Sequence, residues 1–212
     1  MLCTEYRCIF VHIPKTAGMS IERGFLDQLG LGSGGRAQLL LRPNKDSQKG
    51  PPRLAHLSAS EYVDLGHLSR ESFEQYYKFA VVRNPWDRMV SLFRYLGDAK
   101  TTEFNSFVFN RFYRRLWQDM YWFVRPQSDF ITHSDGTVLV DDVLRFEALA
   151  SGYESVSRRF EFAQPALPHV NQSMRKERAS ARPYQTYYRD ATRRWIGELY
   201  AEDIERFGYQ FE

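Results

Sequence analysis

The sequence predicts an α/β fold: a three-layer sandwich around a central, mainly parallel sheet, in one domain spanning residues 1–212. Three observations carry that expectation. Short apolar strands, one opening "CIFVHIPKTAGMS" and one at "FAVV", 79–82, alternate with segments whose apolar residues recur at helical spacing. Two of the strand-to-helix switches pass through tight loops, as expected where helices pack back on a parallel sheet. With 212 residues, 43% hydrophobic and 16% aromatic, the chain has enough apolar surface for one substantial core.

The elements follow in order. The run "CIFVHIPKTAGMSIERGFLDQLG" leads from a strand through Pro14-Lys15-Thr16-Ala17-Gly18-Met19-Ser20 into a first helix with Ile21, Phe25 and Leu29 at four-residue spacing. The glycine-rich run "GLGSGG" ends it. Residues 31–53 lack periodicity and are rich in Gly, Pro, Lys and Arg, so they read as a long mobile loop. Ser58 and Glu61 have capping-box spacing, and Ser69 is placed to cap a second short helix before "FAVV". In "RNPWDRMVSLFRYLG", Asn84 reads as an N-cap, Pro85 as the first helical residue and Asp87 as a first-turn acid. Trp86, Met89, Val90, Phe93 and Leu96 then form an apolar stripe. A third helix is predicted over about 104–118, a turn at Asp135-Gly136 between two short strands, and helices near 147–160 and 190–207.

Composition narrows the function classes. The formal charge is +3, with 29 basic residues against 26 acidic, which suits an anionic ligand without the broad basic footprint of a nucleic-acid binder. No segment approaches the ~20 apolar residues of a membrane span, and the first residues lack signal-peptide features, so a cytoplasmic location is expected. Cys3 and Cys8 lie beside or within the first strand. An extended backbone would hold them about 16 Å apart, out of reach of a disulfide, so they are expected to be reduced thiols.

Two strand-to-helix corners stand out as anion sites, because a helix N-terminus presents unpaired N–H groups and the positive end of its dipole. At the first, Lys15 adds a full charge, Thr16 and Ser20 add hydroxyls, and Gly18 lets backbone approach a ligand closely. The Walker pattern is absent, since Lys15 precedes the only glycine of the loop. At the second, Arg83 leaves the strand end and Ser91 sits two helical turns beyond Asn84 on the same face.

"FVHIPKTAGMS" together with "KFAVVRNPWDRMVSLF" resembles the sulfotransferases that use 3′-phosphoadenosine 5′-phosphosulfate (PAPS), particularly the carbohydrate 2-O and HNK-1 branch and its bacterial relatives. The resemblance extends more weakly through "VDDVLRFEAL", "LPHVNQS" and "LYAEDIERFGYQF". It implies a P-loop-like first loop, formed by Lys15, Thr16, Ala17, Gly18, Met19 and Ser20, that wraps the 5′-phosphosulfate. It also implies that Arg83 and Ser91, in an R-N-P-x-x-R-x-x-S pattern, hold the 3′-phosphate. Golgi members of the family usually carry a membrane anchor and a longer stem, which are not seen here, and the acceptor region is short.

The activity so implied is transfer of a sulfuryl group from PAPS to a hydroxyl, with 3′-phosphoadenosine 5′-phosphate (PAP) as product. In-line sulfuryl transfer needs alignment and stabilisation of the leaving phosphate, and requires no metal. Lys15 is the candidate electrophile, beside the backbone N–H groups of residues 16–20. A hydroxyl acceptor must lose a proton, which suits histidine. The resemblance places a histidine between the two corners, where His56 stands, and His67 is the alternative base. His12 is expected to be buried in the sheet, His133 and His169 solvated. The basic segment with Arg175, Lys176, Arg178 and Arg182, within a predicted loop over 171–183 near the site, reads either as solvated surface or as a cover for an anionic ligand. The acceptor class is a small molecule or a sugar hydroxyl, with no nucleic acid or membrane partner. The rival readings are a nucleotide kinase, which would need a Walker loop and a magnesium site, and a non-catalytic nucleic-acid module.

Overall fold

The computed structural model describes residues 1–168 and 182–212. His169 and the basic positions Arg175, Lys176 and Arg178 lie outside the described residues. The chain divides into two compact units, each assembled from two sequence segments: Met1–Val82 with Asp129–Val170, and Arg83–Ser128 with Asn171–Glu212.

The first unit contains the sheet. Its strands β1 (Leu2–Cys3), β2 (Cys8–Val11), β3 (Tyr77–Val82) and β4 (Asp142–Arg145) lie in that order, with β1 antiparallel to β2 and the other two pairs parallel. Alternation of side chains gives the sheet two apolar faces. Cys8, Phe10, Phe79 and Val81 share a core with Ile21 and Phe25 of helix α1 (Gly18–Gln28) and with Tyr153 and Val156 of helix Leu149–Arg159. Ile9, Val11, Ala80 and Val82 are buried as well. Full burial of Ile21 and Phe25 contributes about 1.5–3 kcal/mol each, which is what anchors α1 and hence the loop before it. The mixed α/β fold with a mainly parallel sheet flanked by helices is therefore present as predicted.

Three local expectations are corrected. The chain does not stay extended between the cysteines: it reverses over Thr4–Arg7, where Arg7 adopts φ 45° and its N–H donates to the Thr4 carbonyl. Cys3 and Cys8 thereby become cross-strand partners, both buried and both free thiols. The segment 31–53 is not a featureless loop. It contains 3-10 turns at Ser33–Leu39 and Ser47–Lys49, buries Leu39 and Leu41, and uses the Asn44 side-chain amide to donate to the carbonyls of Asp46, Gly50 and Pro51. The two strands expected around Asp135-Gly136 reduce to a single bridge, Thr132 with Val138, although the turn itself forms with Gly136 at φ 86°.

Before β3, the capping residues act partly as expected. Ser69 accepts from the Ser72 N–H at the start of helix α3 (Arg70–Gln75). At the expected capping box the Glu61 carboxylate accepts from the Ser58 N–H, and Ser60 precedes the single-turn helix α2 (Glu61–Asp64).

The second unit begins with the corner at Arg83 and helix α4 (Pro85–Tyr95). Asn84 caps it through the Trp86 N–H, Pro85 fills the first position, and Trp86, Met89, Val90 and Phe93 are buried. The predicted helix near 104–118 runs from Phe104 to Asp119, with π-type hydrogen bonding over Phe107–Leu116. The C-terminal helix is broken at Tyr200 into Asp190–Leu199 and Ala201–Phe207. The Tyr200 hydroxyl donates to the Val124 carbonyl from a buried site, and its backbone leaves helical geometry at φ −113°, ψ 30°. The break places Asp203 in the first turn of a new helix. Among the described residues no helix is long and apolar enough to cross a membrane.

Candidate functional site

The first corner leaves the carboxyl end of β2. Lys15 and Ala17 both adopt φ 70°, in the left-handed region, and Ala17 is the residue before α1. Such a conformation costs a non-glycine residue about 1–2 kcal/mol, and strain of this kind gathers at ligand clamps. Left-handed residues in a tight turn are the kind of backbone from which anion nests are built. The Thr16 hydroxyl is fully buried and donates to the Ile13 carbonyl at 2.8 Å. In this conformation Thr16 closes the loop with its side chain. The Ser20 N–H goes to the Ala17 carbonyl at 3.0 Å, so what Ser20 presents is its hydroxyl. Met19 is exposed, and Lys15 is partly so.

Gly18 also has a structural reason of its own. A Cβ there would lie 2.1 Å from the imidazole of His12, so glycine makes room for a side chain beneath the loop. His12 is buried, as expected, and its Nδ1–H donates to Glu22 Oε1 at 2.6 Å. Arg36 reaches the other carboxylate oxygen at 2.8 Å. Burial alone would raise the Glu22 carboxyl, but His12 and Arg36 together hold it down at about 2. The loop therefore rests on a buried charged group that is itself fully paired.

His56, on the 3-10 turn Leu54–His56, packs edge-on against the His12 ring with centroids 4.5 Å apart. Its Nδ1–H donates to the His12 carbonyl at 2.8 Å, which assigns Nε2 as the basic nitrogen. Burial, then the charge on His12, push the imidazole down to about 3. The structure thus brings His56 against the residue that supports Gly18. His67 is elsewhere in the unit, with Nε2 donating to the Lys49 carbonyl at 2.8 Å. His133 is exposed beside Asp135.

The second corner begins immediately after β3. Arg83 is 8% exposed, and its Nε and Nη2 converge on Asp87 Oδ2 at 2.8 and 2.7 Å. The ion pair is therefore directional, buried on the Arg83 side and partly open on the Asp87 side. Asp87 and Ser91 are four residues apart on α4 and share a face, so Arg83, Asp87 and the partly exposed Ser91 follow one line along the helix. Arg88, the second arginine of the R-N-P-x-x-R-x-x-S pattern, is 5% exposed and donates to the Arg125 and Phe123 carbonyls. It holds the unit together.

Sequence reasoning missed Glu22, Gln127 and Asp203. Gln127 is fully buried: its Oε1 accepts from the Arg83 N–H and its Nε2 donates to the Arg83 carbonyl, both at 2.9 Å. A cavity of about 350 Å³ in the second unit, lined in part by Phe93, Phe104, Tyr187, Tyr188, Arg182 and Arg189, contains none of the predicted site residues. Phe93 is ten residues along the chain from Arg83, about 15 Å of helix, so the cavity and that corner are at opposite ends of α4.

A family model described as "Sulfotransferase family" matches residues 1–210. No curated protein and no solved structure matches the chain.

Proposed function

The chain belongs to the sulfotransferase family and is a sulfuryl-transferring enzyme; on that premise we propose that it takes the sulfuryl group from PAPS, passes it in line to an acceptor hydroxyl, and releases PAP. The observation that carries this reading is the first corner. Left-handed residues at Lys15 and Ala17, just before an eleven-residue helix, set backbone N–H groups, the positive end of a helix dipole and one lysine in a single short loop. That arrangement suits the phosphosulfate end of the donor. Residues Lys15 to Ser20 hold it, through backbone N–H groups of the loop before Ser20, the Ser20 hydroxyl and the Lys15 ammonium. Arg83 and Ser91 hold the 3′-phosphate, with Asp87 fixing the edge on which the guanidinium presents itself.

In the transfer, the acceptor oxygen forms a bond to sulfur as the bond from sulfur to the 5′-phosphate oxygen breaks. Negative charge grows on the departing phosphate, where the Lys15 ammonium hydrogen-bonds the leaving oxygen and stabilises it. His56 Nε2 takes the acceptor proton. At rest His56 is a weak base because it is buried beside His12, and an anionic donor raises its proton affinity by adding negative charge nearby. The base thus gains strength as the donor arrives. The acceptor class is a hydroxylated small molecule or a sugar.

Thermal unfolding with ligands tests the donor. PAP should stabilise the protein in the absence of magnesium, and ATP with magnesium should not. Stabilisation by ATP with magnesium and not by PAP would instead favour phosphoryl transfer.

A further inference from the structure

We infer that Gln127, held by Asp203, is the positioning residue that aims Arg83 at the donor's 3′-phosphate. The inference rests on the proposed role of Arg83. Its foundation is a chain of hydrogen bonds within the second unit. Arg83 is the first residue past the end of β3, so it has left the ladder that orients the strand. Gln127 replaces the ladder at this one position, because its side-chain amide matches a peptide group in donor and acceptor. Oε1 accepts from the Arg83 N–H and Nε2 donates to the Arg83 carbonyl, both at 2.9 Å.

The amide is itself held on every side. Asp203 Oδ2 accepts from the Gln127 backbone N–H at 2.8 Å and from Nε2 at 3.3 Å, and Oδ1 accepts from the Ser128 N–H at 2.8 Å. Gln127 and Asp203 are each fully buried. The amide's orientation leaves no freedom: Oε1 meets an N–H, and the two hydrogens of Nε2 meet a carbonyl and a carboxylate. A buried carboxylate with no role would be costly, whereas one accepting three N–H groups fixes a neighbour rigidly. The Arg83 backbone is thereby pinned at N–H and C=O, while Asp87 pins the guanidinium. A long arginine held at both ends loses little further freedom on gripping a phosphate, which is the advantage of preorganisation.

The test is calorimetric titration with PAP and with adenosine 5′-phosphosulfate, which lacks the 3′-phosphate. The proteins are the wild type, Gln127→Met, Arg83→Ala and the double variant. Methionine keeps the length and bulk of the side chain and removes both bonds to Arg83. Gln127→Met should weaken PAP by about tenfold, the equivalent of one to two lost neutral hydrogen bonds, and change adenosine 5′-phosphosulfate by less than about twofold. In the Arg83→Ala background it should cause no further loss of PAP affinity. Equal weakening of both ligands, or an undiminished loss in the Arg83→Ala background, would overturn the role of Gln127. Should Gln127→Met fail to fold, Asp203→Asn, which keeps the shape and one acceptor oxygen, must give the same selective loss. The wild-type and Arg83→Ala titrations stand apart from these: if the wild type binds PAP no tighter than adenosine 5′-phosphosulfate, the donor reading fails first, and the role of Gln127 falls with it.

Discussion

His56 donates its Nδ1–H to the carbonyl oxygen of His12 at 2.8 Å, while the two rings meet edge-on at 4.5 Å. One bond thus fixes both the tautomer of His56 and its distance from the residue lying under Gly18. Replacing His56 by asparagine, whose Nδ2 can keep the donor to His12, removes only the basic nitrogen. His56→Asn should lower turnover by about 10²- to 10⁴-fold. PAP affinity should stay near wild type in a calorimetric titration. If His56→Asn keeps near-full activity and His67→Ala does not, the base is His67.

The pH profiles follow from the same burial. A general base must be neutral, so the rate falls as pH drops through its pKa. In the free enzyme that value is pushed down to about 3, which puts the acidic limb of kcat/KM well below pH 5. With the anionic donor bound the limb should move to higher pH and should appear in kcat, which reports the complex. Superimposed limbs in the two profiles would show that the donor does not act on His56.

Stability should fall on acidification. His56 titrates near its ordinary value of 6.5 when unfolded and near 3 when folded, so between those values the unfolded chain binds the extra proton. Glu22 adds the same sign between its ordinary 4.5 and about 2. Denaturant unfolding measured from pH 7 down to pH 4 should therefore show a falling stability, and the fall should be shallower in His56→Asn. An equally steep loss in that variant would place the acid sensitivity elsewhere.

Lys15→Ala should reduce turnover much more than PAP affinity, since the ammonium's contact strengthens only as charge develops on the leaving phosphate. Comparable losses in both would make Lys15 a binding residue alone.

Gly18→Ala tests the support under the loop. Its Cβ would fall 2.1 Å from the His12 ring, and that ring is tied to Glu22 and cannot swing aside cheaply. A destabilisation of about 1–3 kcal/mol is expected, together with weaker PAP binding. A variant with unchanged stability would mean that His12 has room to move.

What the sequence revealed was local. Asn84, Pro85 and the stripe from Trp86 to Phe93 were legible because capping and periodicity act within a few residues. The two cationic corners were legible for the same reason, each being a strand end, a loop and a helix start read in succession. The Cys3–Cys8 pairing was not, because a chain reversal over Thr4–Arg7 decides it and nothing in that segment is a strong turn former. Gln127 and Asp203 were invisible for a second reason. Their bonds span 44 and 76 residues, and neither lies in a motif or a periodic stripe. Glu22 belongs to no motif, and only the packing of α1 shows it buried against His12.

The most direct measurement is a transfer reaction with PAPS as the only sulfuryl donor and a mixed pool of sugars, phenols and hydroxylated metabolites as acceptors, followed by mass spectrometry and quantification of PAP. The wild-type protein should yield PAP together with an equal amount of a product heavier by one sulfuryl group, and Lys15→Ala should yield far less of both. A sulfated product that forms from adenosine 5′-phosphosulfate as readily as from PAPS, or that forms undiminished in Lys15→Ala, would contradict the assignment of PAPS to these two corners.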